Sequence, residues 1–249
     1  MFYKKIAGLL TAIALLAVPA SALDLNQMTA EERALFREEV RAYLLENPEV
    51  IMEAVNRLEE RQAQQQAQAD LQLVSQHADA LFDDGFSYVG GNPDGDVTLV
   101  EFMDYRCGFC KRAFGEVEKL LENDGNIRFV VKEFPILGEQ SVLASRFAIA
   151  TKQVEGGDAY KQMHDALMEY QGNITLPALR RLADTFGFDA ETIESRMNDE
   201  SITAEIRATR ELAQQLRISG TPTFVLEDEM LRGFLPADQM QQLVDEKRG

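Results

Sequence analysis

The chain has 249 residues, a length that suits one large domain or two smaller ones. Its 45% apolar content can build a core, while its 27% charged content argues against a fibre, a disordered tail or a polytopic membrane protein. Forty-two acidic residues against 25 basic ones give a net charge of −17, which repels phosphate backbones and argues against any nucleic-acid partner. Two cysteines cannot make a multi-bridge scaffold, and two histidines are too few for a His-built metal site.

Lys4 and Lys5 precede an apolar run from Ile6 to Val18, and the small residues Ala20-Ser21-Ala22 follow. This is the pattern of a secretory signal peptide cleaved after Ala22; an N-terminal membrane anchor would need a longer apolar stretch without the small-residue exit. Residues 1–22 are therefore read as a targeting segment, and export places the two cysteines where thiols are oxidised.

Thr29-Ala30-Glu31-Glu32 fits a capping box, and Leu35, Phe36, Val40, Tyr43 and Leu44 recur at helical spacing, which predicts a helix to about Glu46. Asn47-Pro48 restarts the chain as N-cap and first helical residue, and Val50, Ile51, Ala54, Val55 and Leu58 form a second apolar stripe. From Glu59 to Asp70 the residues are helix formers with no face to bury, either a spacer helix or a Gln-rich linker, before Leu71, Val74, Ala78 and Leu81 resume the helical spacing. Two short amphipathic helices ahead of such a spacer cannot bury their stripes on a distant domain. Residues 23–89 are accordingly expected to be an α-helical arm and linker that makes a homo-oligomer, dimer or trimer.

Gly90-Gly91-Asn92-Pro93-Asp94-Gly95 is dense in turn formers and marks the entrance to a second domain, residues 90–249. Val97 to Met103 reads as a buried strand, Cys107 to about Asn123 as a helix and Ile127 to Phe134 as a strand, a βαβ unit with a parallel pair. Between about residues 138 and 217 helical patterns follow one another: Val142 to Val154, Ala159 to Met168, Leu176 to Phe186 and Ile202 to Leu216. Thr223 to Leu226 and Met230 to Phe234 flank an acidic turn as a hairpin, and Pro236-Ala237 opens a last amphipathic helix. The sequence carries no internal repeat.

Cys107-Gly108-Phe109-Cys110 falls where the first of these strands gives way to a helix. The unpaired N–H groups and the dipole at a helix start favour a thiolate, so Cys107 is the expected attacking sulfur and Cys110, one turn in, the resolving one. Zinc would need two further ligands, and His77 and His164 have no ligand spacing to the motif; no metal site is expected. A structural bridge across so short a loop would stabilise little. Glu101, between Val100 and Phe102, is either a buried carboxylate able to take a proton from Cys110 or an edge residue facing water, with Lys132 on the neighbouring strand as its candidate partner. Lys111 and Arg112 read as solvated charges, whose sign would also favour the Cys107 thiolate. Thr221-Pro222 stands at the mouth of a strand, where a cis bond would leave the Thr221 backbone free to pair with an extended substrate; pattern alone leaves cis and trans open.

From Val97 to Lys247 the strand, the Cys-Gly-Phe-Cys helix start, the helical insertion and the Thr-Pro turn before a hairpin together resemble a DsbA-like thioredoxin fold. The segment Leu44 to Val50 is similar to the N-terminal helices of the suppressor-of-copper-sensitivity (ScsC) branch. The resemblance implies an α/β fold in which Cys107 is the nucleophile, Cys110 resolves, Thr221-Pro222 is cis and faces the site, and Glu101 is the acidic position on the first active-site strand. Strongly oxidising DsbA proteins carry His where Phe109 stands, so a less stabilised Cys107 thiolate and a weaker oxidant are expected here. With an oligomerising arm this points to a periplasmic disulfide isomerase with Phe109, Thr221 and Pro222 at the substrate. It would act on exported cysteine-containing client proteins with a membrane thiol–disulfide redox partner, and needs no cofactor. The alternatives are a dithiol oxidase and a Cu(I)-binding protein of copper tolerance using the same two thiols.

Overall fold

The computed structural model describes residues 27–249, so the expected signal peptide lies outside the described residues. The chain divides into two compact units, Met1–Glu60 and Arg61–Gly249.

In the first unit, helix α1 (Ala30–Glu46) begins at a complete capping box: the Thr29 hydroxyl accepts from the Glu32 N–H at 3.2 Å, and the Glu32 carboxylate accepts from the Thr29 N–H at 2.8 Å. Asn47 closes α1 by donating its N–H to the Tyr43 carbonyl, and helix α2 (Glu49–Gln76) starts two residues later. No residue of α1 is buried, and Leu35, Phe36, Val40, Tyr43, Ile51, Met52, Val55 and Leu58 are exposed. The Gln-rich stretch is helical throughout, which settles it as part of α2 rather than an irregular linker.

The second unit is built on a five-stranded sheet of order β1-β3-β2-β4-β5: β1 (Tyr88–Gly91), β2 (Val97–Met103), β3 (Ile127–Glu133), β4 (Thr223–Leu226) and β5 (Glu229–Arg232). Strands β2 and β3 are parallel, joined by the crossover helix α4 (Gly108–Asp124), and the other pairs are antiparallel. Alternation along β2 turns Leu99 and Met103 toward the core shared with α4 and the inserted helices, and Val100 and Phe102 toward a second core on the other face. Helix α4 buries Cys110, Ala113, Val117 and Leu120, spaced three and four apart, and stops at Gly125 in the left-handed conformation.

Between β3 and β4 lie α5 (Glu139–Glu155), α6 (Gly157–Glu169), α7 (Leu176–Phe186), α8 (Ala190–Arg196) and α9 (Glu200–Gln215), matching the expected insertion. Helix α10 (Ala237–Arg248) closes the chain with Met240 and Val244 buried. The molecule is thus an α/β thioredoxin fold with an inserted helical domain and helices before it.

The expected entrance at residue 90 needs correction. Strand β1 crosses it, pairing Tyr88 with Val131 and Gly91 with Arg128. Gly91 has φ +62°, and a Cβ there would stand 2.4 Å from the Ile127 carbonyl, so its turn character and its strand pairing coexist. Upstream, Val74 of α2 and Leu81 of α3 (Ala78–Phe82) are buried in the second core with Val100, Phe102, Val130 and Phe134. Buried Asp70 accepts two bonds from the Arg232 guanidinium, at 2.6 and 2.9 Å. The segment read as linker therefore supplies wall to the second unit. Helix α8 and strand β1 went unpredicted, both too short to show a period.

Candidate active site

Cys107 is the N-cap of α4, with its sulfur accepting the Cys110 N–H at 3.4 Å. Its thiol donates to the Thr221 carbonyl at 3.1 Å. Hydrogen bonds donated to the sulfur draw its pKa down to about 5: the Cys110 thiol contributes most, burial opposes it, and the Thr221 side chain and the Cys110 and Phe109 N–H groups add to the lowering. Cys110 is fully buried, and burial, the Cys107 sulfur and the charge of Glu101 push its thiol far above the usual range. The two cysteines are unbonded thiols of opposite character, one poised as thiolate and one held protonated.

The Thr221-Pro222 bond is cis, and Pro222 is buried while Thr221 is half-buried. Phe109 is 54% exposed, with the Arg112 guanidinium 4.1 Å from its ring centroid and 5.7 Å from that of Phe234. Arg112 thus forms part of an aromatic rim rather than a plain solvated charge. Position 109 lends Cys107 a backbone N–H and no side-chain donor, yet the thiolate is still favoured.

Glu101 is buried, at 2% exposure, on the face of β2 that looks toward α4. Its Oε1 has no hydrogen-bond partner among the described residues, and burial, then the charges of Cys107 and Glu118, raise its pKa to about 8. The pairing with Lys132 is not formed. Glu101 stands opposite Val131 in the register, so Lys132, one residue on, points to the other face and donates to the Ala80 carbonyl at 2.8 Å and to Asp84 at 2.6 Å. Lys111 is likewise not free in solvent: its ammonium donates to the carbonyls of Leu167, Met168 and Tyr170, tying α4 to the C-terminal end of α6.

Other residues shape the site without having been singled out. The Asp104 carboxylate accepts from the N–H groups of Arg106, Ile136 and Leu137 at 2.8, 2.8 and 3.0 Å, and its carbonyl accepts from the Cys107 N–H at 3.0 Å. Tyr105 is fully buried and donates at 2.7 Å to Glu133. His164, distant from the motif in sequence, contacts the Tyr105 hydroxyl at 3.1 Å. Period-two alternation of Phe129, Val131 and Glu133 along β3 was the available signal for a buried Glu133. Among the described residues no group of three or more His, Cys, Asp or Glu is placed to hold a metal ion.

An activated thiolate at a helix start, backed by a buried second thiol on a thioredoxin fold, defines the class of thiol–disulfide oxidoreductases. The chain belongs to the DSBA-like thioredoxin domain family, whose model matches residues 98–246; residues 32–65 match the copper resistance protein ScsC N-terminal domain. It is 27% identical over 169 residues to disulfide bond formation protein D of Bacillus subtilis, covering 63% of this chain and 75% of that protein. A thioredoxin-like oxidoreductase from Silicibacter pomeroyi is 43% identical, with a TM-score of 0.64 over 68% of this chain and 96% of its own. Proteus mirabilis ScsC in a transitional conformation is 28% identical, with a TM-score of 0.64 over 89% of this chain and 97% of its own. The chain also matches part of an Na(+)/H(+) antiporter NhaA 3 from Salinispora tropica, spanning 22% of that protein's length.

Proposed function

We propose that the protein is a periplasmic disulfide isomerase acting on misoxidised exported proteins. The Cys107 thiolate attacks one sulfur of a wrong client disulfide, forming a mixed disulfide and releasing the other client sulfur as a thiolate. A second client thiolate then attacks the mixed disulfide, which closes a new client bond, returns Cys107 and leaves the overall redox state unchanged. When no client thiol arrives, Cys110 gives its proton to Glu101 and attacks Cys107, releasing the client reduced; a membrane thiol–disulfide partner then restores the dithiol. Thr221, Pro222 and Phe109 border the client, and the Thr221 backbone at the mouth of β4 suits an extended peptide.

The observation that carries the isomerase reading is the uncovered apolar stripe of α1 and the first half of α2. A chain exposing Leu35, Phe36, Val40, Ile51 and Val55 together calls for further copies of itself, and several catalytic units around one client favour reshuffling over single oxidation. A Cys107 held near 5 lies between the values of about 7 and 3.5 typical of reducing and strongly oxidising thioredoxin-fold enzymes, compatible with a thiol that both attacks and leaves. That same thiolate supports the second reading, a dithiol oxidase.

Recovery of activity by scrambled ribonuclease decides between them, using partly reduced protein, a Cys107→Ala variant and a Leu35→Glu/Val55→Glu variant. Recovery that depends on Cys107 and on an intact stripe is the expected result. Failure to recover, with rapid oxidation of reduced ribonuclease by the disulfide form, would establish the oxidase; inactivity in both directions would turn attention to Cu(I) held by the two thiols.

A further inference from the structure

Glu133, at the end of β3, is a buried carboxylate with three hydroxyl donors: Tyr105 and Tyr160 reach its Oε1 and Ser145 its Oε2, each at 2.7 Å. With Glu133 ionised, which burial delays to a pKa of about 7, the Tyr105 proton goes to the carboxylate and the 3.1 Å contact is donated by Nδ1–H of a neutral His164. Burial agrees, holding His164 down to about 3. The His164 ring packs against Tyr160 and Phe114.

The cluster reaches the active site through Tyr105, which lies two residues before Cys107. The Asp104–Cys107 segment is anchored twice. Asp104 ties it to the turn after β3, whereas Tyr105 alone carries it to Glu133 and so to Ser145 on α5 and Tyr160 on α6. The sulfur it positions has to hold 3.4 Å from the Cys110 N–H and 3.1 Å from the Thr221 carbonyl.

We propose that Glu133 and Tyr105 are positioning residues for the exchange reaction: their hydrogen bond, braced by the inserted helices, seats Cys107 against the start of α4. Neither residue touches a reacting sulfur. The inference rests on Cys107 being the attacking thiolate. It requires that the insertion serve the sulfur chemistry and not only shield a core.

The test is a titration of thiolate absorbance on the full reduced protein, with the glutathione equilibrium measured beside it. Tyr105→Phe keeps the ring and removes only the hydroxyl. Its Cys107 midpoint is expected to rise by about one pH unit, the cost of weakening one hydrogen bond to the thiolate, with a shift of about tenfold toward the disulfide in the glutathione equilibrium. Tyr160→Phe removes a bracing hydroxyl from the same carboxylate without touching the loop and is expected to move both readings by clearly less than Tyr105→Phe does. In a Glu133→Gln background, where the acceptor of the Tyr105 hydroxyl is a weaker, always neutral amide oxygen, the Tyr105→Phe shift is expected to shrink, because the two residues act through one bond. An unchanged midpoint in folded Tyr105→Phe, full additivity of the two substitutions, or an equal shift from Tyr160→Phe would each overturn the proposal. Should Tyr105→Phe fail to fold, Glu133→Gln alone is expected to raise the midpoint, and an unchanged or lowered value overturns it. Persistence of the acidic thiolate signal in Cys107→Ala would instead sink the assignment of the nucleophile, a separate failure.

Discussion

Glu101 combines burial with an unpaired oxygen, a costly arrangement that suits a group meant to change protonation during the reaction. With its pKa raised to about 8, only a small fraction is ionised at neutral pH, and that fraction faces a Cys110 thiol that is reluctant to ionise unaided. Glu101→Gln is expected to slow escape of the mixed disulfide through Cys110 by roughly a hundredfold, the scale of a lost general base. The first attack by Cys107 should persist, since a negative neighbour is removed. Acid-quenched mass spectrometry of the mixed disulfide with a model peptide would show its accumulation. Cys107 gives a second expectation. Its folded pKa of about 5 lies below the ordinary thiol value of 9.0, so between those limits the unfolded chain binds more protons and stability rises with pH. Disulfide formation abolishes that ionisation. The stability of the reduced protein relative to the oxidised one is therefore expected to grow from pH 5 to pH 9 and to level off below, which denaturant melts of both forms would measure. Cys107, Cys110 and the buried face for Glu101 were legible because a helix start and a period of two are local. The partner of Lys132 was not, because which residue of β3 stands opposite Glu101 depends on register, a property of the folded pair. The Glu133 cluster was hidden for a related reason: its hydroxyls come from positions 28, 27 and 12 residues away.

At the scale of elements, strong periods were readable and short pieces were not. Helices α1, α4, α5, α6, α7 and α9 announce themselves by stripes or caps, whereas β1 has four residues, two of them glycine, and takes its strand character from pairing with β3. The spacing from Leu71 to Leu81 predicts a helix but not its destination, since an apolar stripe does not say what it packs on. Here it packs on the sheet. Leu81→Ala is expected to destabilise the second unit by about 2–5 kcal/mol, the range for emptying a fully buried leucine site, and to lower the melting temperature by roughly 5–15 °C. A linker residue would leave the melt unmoved, so calorimetry of this one variant tests where the catalytic unit begins. The same packing makes residue 90 a poor truncation point: a cut there would remove Leu81, Val74 and the Asp70 carboxylate that binds Arg232, and would divide β1.

The whole molecule combines a strongly acidic chain with an apolar stripe left open on its first unit. Net charge of −17 opposes close approach of copies, so association of the proposed kind has to be driven by apolar burial along α1 and α2 and should strengthen as salt screens the repulsion. Leu35 and Val55 lie on the exposed stripe, and glutamate at both would add charge where the contact must be dry. Leu35→Glu/Val55→Glu is expected to convert the proposed oligomer to monomer in sedimentation velocity. It should leave the Cys107 titration unchanged, because no atom of the thiol site is altered. Isomerase activity should fall several-fold in that monomer while oxidation of reduced ribonuclease persists. A monomer with undiminished isomerase activity would separate the arm from the chemistry. A wild-type protein already monomeric at micromolar concentration would leave the stripe for a different partner and remove the ground for preferring isomerisation to oxidation.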